Sequence, residues 1–100
     1  MMRWLLMEEK MATYFKALGD KNRLILFEQM IKGETCGCTL INKVEVTQPT
    51  MTYHLNILEE ANLISSRKEG IWRKLDVNDK IIDDMINYLN SLKKLKGTDK

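Results

Sequence analysis

The chain has 100 residues, 44% hydrophobic and 30% charged, with a formal net charge of +2. That length fits one domain with a modest core, and the composition excludes a disordered chain and a membrane-spanning one. Five Gly and one Pro leave few breaks, which argues for long helices and against a many-turned β-sandwich.

Apolar residues recur at Trp4, Met7, Met11, Tyr14 or Phe15, and Leu18, the three-four spacing of a helix, until Gly19 stops it. Asp20 is a good N-cap for a second helix over residues 21–32, and Gly33 supplies the left-handed residue that ends it. A short third helix is expected from Thr35 or Cys36 to Lys43, followed by a tight turn at Val44-Glu45-Val46. Thr47 then caps a fourth helix that runs to about Ala61, with Pro49 in its first turn and Met51, Leu55 and Leu58 on its inner side. Beyond Asn62 the period changes: Ile64, Ser66, Ile71, Arg73, Leu75 and Val77 predict two short strands around a Glu69-Gly70 turn. The helical period returns from Asp79 with Ile82, Met85 or Ile86, Leu89 and Leu92. Residues 94–100 are expected to be a basic, flexible tail outside a domain spanning 1–93.

Four helices, a hairpin and a final helix make a mainly α chain with a small β-hairpin. The third and fourth helices, joined by a short turn, have helix-turn-helix geometry, and the hairpin makes the whole a winged helix-turn-helix. The fourth helix offers Gln48, Thr50, Thr52, Tyr53 and His54 in its first two turns, residue types that pair with base edges or phosphates in a major groove about 12 Å wide. That helix has no Lys or Arg, so phosphate neutralisation must come from elsewhere. The hairpin supplies it through Arg67, Lys68, Arg73 and Lys74, set against Glu69 and Asp76. A single His and the lack of a Gly-rich phosphate loop or clustered acid–base set argue against an enzyme. The apolar run at residues 4–7 is too short for a signal peptide or a membrane span, so a cytoplasmic protein is expected.

The stretches Phe15-Lys16-Ala17-Leu18-Gly19-Asp20 with Arg23-Leu24, Gly33-Glu34-Thr35-Cys36-Gly37-Cys38, and Gln48-Pro49-Thr50-Met51-Thr52-Tyr53-His54-Leu55 carry a resemblance. So do Leu58-Glu59-Glu60-Ala61-Asn62-Leu63-Ile64 and Arg67-Lys68-Glu69-Gly70. Together they resemble the ArsR/SmtB family of metal-sensing repressors, in register from about Tyr14 to Val77. The resemblance implies a homodimer that binds a near-palindromic double-stranded operator and lets go when an inducer binds. It also implies a dimer interface on the first and last helices, here Trp4, Met7, Met11, Ile82, Met85, Ile86 and Leu89.

Cys36 and Cys38 are the only thiols, and the pair resembles the arsenic- and soft-metal-sensing branch of that family. Thiolates favour trivalent arsenic or antimony and soft divalent metals, and no obligatory cofactor is expected. On a regular helix, residues two apart point about 200° from each other. The two sulfurs share one ion only if the helix starts at Cys38 or distorts. Ile41 stands where some arsenic sensors carry a third Cys, and no His accompanies Asp79, Asp83 and Asp84 as a final-helix zinc site would need. A thiol redox-sensing repressor of the same fold and a winged-helix protein-interaction module remain the alternatives.

Overall fold

The computed structural model describes residues 2–97, with side chains described for residues 6–96. The chain runs α1 (Met2–Leu18), α2 (Lys21–Ile31), α3 (Gly37–Leu40), a 3-10 turn (Ile41–Lys43), α4 (Gln48–Glu60), β1 (Ile64–Glu69), β2 (Trp72–Val77) and α5 (Asp79–Gly97). This is the expected winged helix-turn-helix order.

Local chemistry sets most of the boundaries. Asp20 Oδ1 accepts from the N–H groups of Asn22 (2.9 Å) and Arg23 (3.2 Å), satisfying two orphan donors of α2. The Arg23 N–H is the main reason the Asp20 carboxyl titrates below its ordinary value; partial burial opposes it, and the Asn22 N–H adds to the lowering. At the other end Gly33 sits at φ +112°, its N–H reaching Met30 O while Glu34 N–H reaches Gln29 O. That is a Schellman closure. Helix α4 ends the same way with Asn62 at φ +65°: Asn62 N–H bonds to Glu59 O and Leu63 N–H to Leu58 O. The fully buried Leu58 and Leu63 supply the apolar contact that accompanies such a closure.

The core is built on Leu26, Leu40, Leu55, Leu58, Leu63 and Leu75, with Phe27, Met30, Met51 and Ile64 around them. On α2 the buried face is Leu26, Phe27 and Met30, whereas Leu24 and Ile31 face solvent. The hairpin is antiparallel, with Ile64 opposite Val77 at its base and Glu69 opposite Trp72 at its end. Its turn is therefore Gly70-Ile71, one residue beyond the expected Glu69-Gly70.

Two further expectations are corrected. Thr35 and Cys36 are not helical: Thr35 O accepts from Leu75 N–H (2.8 Å) and Cys36 forms an isolated antiparallel bridge with Lys74, so this segment lies along β2. Pairing to the hairpin takes those backbone groups before the helix begins. Helix α5 does not end near Lys93 but continues through Gly97, because Leu89, Leu92 and Leu95 keep the helical spacing and Lys94 and Lys96 suit the negative end of the helix dipole. Among the described residues no helix is long and apolar enough to cross a membrane.

Candidate nucleic-acid interface

Thr47 Oγ1 caps α4 by accepting from Thr50 N–H (3.4 Å), and it donates to Thr50 Oγ1 (3.0 Å). The first turns of α4 then present Gln48, Thr50, Thr52 and Tyr53 to solvent, with Tyr53 60% exposed. Pro49 in the first turn needs no N–H partner, which leaves one fewer orphan donor for the Thr47 cap to satisfy.

His54 is not part of that surface. It is only 6% exposed, and its Nδ1 lies 3.1 Å from a terminal nitrogen of Arg23. A guanidinium offers donors only, so Nδ1 accepts and the neutral ring carries its proton on Nε2. Arg23 Nε also donates to Ala17 O at 2.6 Å. His54 thus ties α4 to α2 and to the end of α1 and cannot reach a base. Its spacing had the signal: it lies three residues after Met51 and four before Leu58, on the buried face.

The register of the hairpin places Arg67 opposite Lys74 and Lys68 opposite Arg73. Like charges directly across a pair of strands repel, and here carboxylates beside Arg67 and Arg73 offset that repulsion. The structure divides the four cations by role. Arg67 pairs with Glu69 (3.2 Å) and Asp76 (3.3 Å), all three more than half exposed, so these contacts are weak and exchangeable. Arg73 turns inward: it donates to Glu59 Oε1 (2.5 Å), Ser66 Oγ (3.3 Å) and Asn56 Oδ1 (3.2 Å). It is a strut between wing and α4 rather than an open phosphate contact. Lys68 is exposed and Lys74 half-buried, and no ion pair among the described residues engages either. Asn56, Glu59, Ser66 and Arg23 were missed by sequence reasoning, because nothing local announces a partner 14 or 31 residues away.

Cys36 stands in extended backbone (φ −105°, ψ 131°) as the N-cap of α3, its Sγ accepting from Cys38 N–H at 3.2 Å. The helix starts at Gly37, so the opposed directions expected of two helical residues do not arise. The side chains converge, and the sulfurs are joined as a disulfide. Gly37 between them is buried. A Cβ there would lie 3.7 Å from Trp72 Cε3, 3.8 Å from Arg73 O and 3.9 Å from Met51 Cε. The thiol segment therefore pairs with β2 and lies close to Met51 of α4. Among the described residues no cluster of three or more His, Cys, Asp or Glu is placed to hold a metal ion.

The residues expected at a dimer interface divide. Met11 and Met85 are buried in the chain's own core and are not open to a partner, since α1 and α5 pack on each other there. Met7, Ile86 and Leu89 are exposed, and Ile82 is half-buried against the core. The side chain of Trp4 lies outside the described residues. An open cleft of about 400 Å³ between α1 and α5 is lined by Leu6, Met7, Met11 and Tyr88, with Lys10 and Asp84 among its polar residues.

Comparison with known proteins finds the family described as "bacterial regulatory protein, arsR family" matching residues 20–66. An uncharacterized HTH-type transcriptional regulator of Methanocaldococcus jannaschii is 36% identical over 85 residues, covering 84% of this chain and 96% of that protein. The arsenical resistance operon repressor of Bacillus subtilis is 43% identical over 74 residues, covering 73% of this chain and 70% of that one. In fold, the chain is similar to the solution structure of a homodimeric winged helix-turn-helix DNA-binding domain from Mycobacterium bovis. The TM-score is 0.72 at 18% identity, over 95% of this chain and 90% of the other.

Proposed function

The chain belongs to the arsR family of bacterial regulatory proteins, DNA-binding transcriptional repressors, and from that premise we propose a homodimer released from a near-palindromic operator by a thiophilic inducer at Cys36 and Cys38. The observation that carries this reading is the closeness of one short segment to both reading elements. Thr35 and Cys36 pair with β2, and Gly37 lies so near Trp72 and Met51 that a Cβ there would come into contact with both. An inducer that re-spaces the two sulfurs would move the base of the wing and the buried side of α4 together. The arsenical resistance repressor among its relatives supports trivalent arsenic or antimony as the inducer class, with a soft divalent ion as the variant. Two protein thiolates leave a third arsenic ligand to come from water, a small thiol or an organic substituent.

Gln48, Thr50, Thr52 and Tyr53 would meet the major groove, with Lys68, Lys74 and an exchangeable Arg67 on the flanking phosphates. Two-fold symmetry would set the two copies of α4 roughly 34 Å apart, one turn of DNA. The exposed Met7, Ile86 and Leu89 on α1 and α5 support a dimer face there, as does the homodimeric assembly of the Mycobacterium bovis domain.

The test is a gel shift with the reduced protein on a duplex it selects from a random pool. Arsenite should release the duplex from the native protein and fail to do so with Cys36→Ser/Cys38→Ser. Release that persists in the double variant removes the thiols from the mechanism. A second reading, thiol oxidation as the signal, is favoured by the convergence of the two sulfurs. Two thiols would give up two protons and two electrons to an oxidant such as peroxide. Peroxide releasing the duplex while arsenite leaves it bound would select that reading. Binding indifferent to salt would point instead to a protein-interaction module.

A further inference from the structure

We propose that Ile71 is an apolar wedge, placed by the wing between base pairs in the minor groove of the bound duplex. The inference rests on the wing lying against DNA, and it adds the chemistry of the tip. Glu69 and Trp72 are the last paired residues, which leaves Gly70 and Ile71 as a two-residue turn. Gly70 is at φ +66° and Ile71 is not left-handed, as in the type II′ turn that wants glycine first and suits the twist of a hairpin. That turn puts Ile71 at the apex. It is 89% exposed, the most exposed large hydrophobic among the described residues. Space around the apex is open: a Cβ on Gly70 would meet nothing within 4 Å.

Isolated exposed isoleucines are ordinary on protein surfaces. Ile71 differs in what stands behind it. The next rows of the hairpin are Glu69 with Trp72, then Lys68 with Arg73, then Arg67 with Lys74. At about 3.3 Å per residue the first cationic row lies roughly 7 Å behind the tip. The minor groove is about 7.5 Å deep, so Ile71 reaches its floor when Lys68 stands at the phosphate rim. Glu69 lies beside Arg67 at 3.2 Å, so the cation that approaches the phosphates also screens that carboxylate. Trp72 packs toward Gly37 and leaves the tip as a single side chain. A β-branched side chain has few rotamers to lose, so it is a stiff probe. Apolar residues of this kind, inserted between base steps, partly unstack and kink the duplex.

The experiment uses a 30-base-pair duplex selected by the native full-length protein from a random pool, carrying 2-aminopurine at successive positions outside the α4 contacts. Native protein should raise the fluorescence at one base step per half-site. Ile71→Ala should abolish that rise and weaken binding roughly tenfold, the scale of one lost base-pair contact. Ile71→Lys should keep most of the affinity through a phosphate contact and still lose the rise. Lys68→Ala separates the two levels of the argument. If it flattens the salt dependence while Ile71→Ala binds and fluoresces like the native protein, the wing lies on DNA without a wedge and the proposal is overturned. If neither variant changes binding to the selected duplex, the wing is not on DNA and both readings fall.

Discussion

Along α4, Met51, His54, Leu55 and Leu58 are buried, Thr47 caps the start, and Arg23 and Arg73 hold the helix from two sides. In the wing, every residue from 67 to 71 is exposed, and cations face cations across the strands. One element is positioned by the core and carries no cation of its own; the other carries the charge with little to hold it. On the proposed function, the difference separates two tasks. Groups that read base edges need fixed geometry, because a bidentate contact fails when displaced, whereas phosphate attraction is long-ranged and tolerates adjustment. Arg73 is where the two regimes meet: a wing residue by sequence that behaves as part of α4's support.

That contrast can be broken from either side. Leu58→Ala should have the largest effect, a loss of about 2–5 kcal/mol of stability in urea unfolding, since Leu58 is fully buried and closes the end of α4. A loss below about 1 kcal/mol would mean the core does not hold the helix. His54→Ala should cost about 1–3 kcal/mol by leaving one terminal N–H of Arg23 without its acceptor and opening space in the core. The folded variant should keep its preference for the selected duplex. Lost sequence preference at unchanged stability would return His54 to the groove.

Asp20→Ala should cost about 1 kcal/mol, the worth of an N-cap. Because the folded carboxyl titrates below its ordinary value, its contribution is complete above the usual carboxylate range. It fades as pH falls through the lowered pKa. The native protein should therefore lose stability on acidification more steeply than Asp20→Ala, and parallel curves would refute the capping role. Smallest in stability is Lys68→Ala, within about 0.5 kcal/mol of the native protein or slightly above it as a like-charged pair is relieved. Its effect belongs in the salt dependence of duplex binding, whose logarithmic slope should fall by about 1. An unchanged slope would mean that Lys68 touches no phosphate.

The caps at Asp20 and Thr47, the stop at Gly33 and the proline at the start of α4 were legible from residue order. Each is a bargain between a side chain and backbone groups within three or four positions. The order of helices and strands followed from the change of period near Asn62, while the family resemblance came from particular residue runs such as residues 48–55. What the linear chain left open was which way particular side chains turn. His54 sits between an exposed tyrosine and a buried leucine; its spacing from Met51 and Leu58 puts it on the inner face, but its partner Arg23 was not legible. Arg67 and Arg73 look alike in sequence, yet one is exposed and the other is drawn to Glu59.

Residue order by itself determined the architecture, the capped reading helix and the cationic hairpin, because propensity, capping and periodicity act over one or two turns of chain. Tertiary structure alone decided the pairing of His54 with Arg23 and the inward turn of Arg73. It also decided the extended backbone that brings Cys36 and Cys38 together and the pairing of Thr35 with Leu75. Those outcomes depend on partners that become neighbours only when distant segments pack. A buried polar group takes whichever partner folding places within reach, since leaving it unpaired costs more than any local preference.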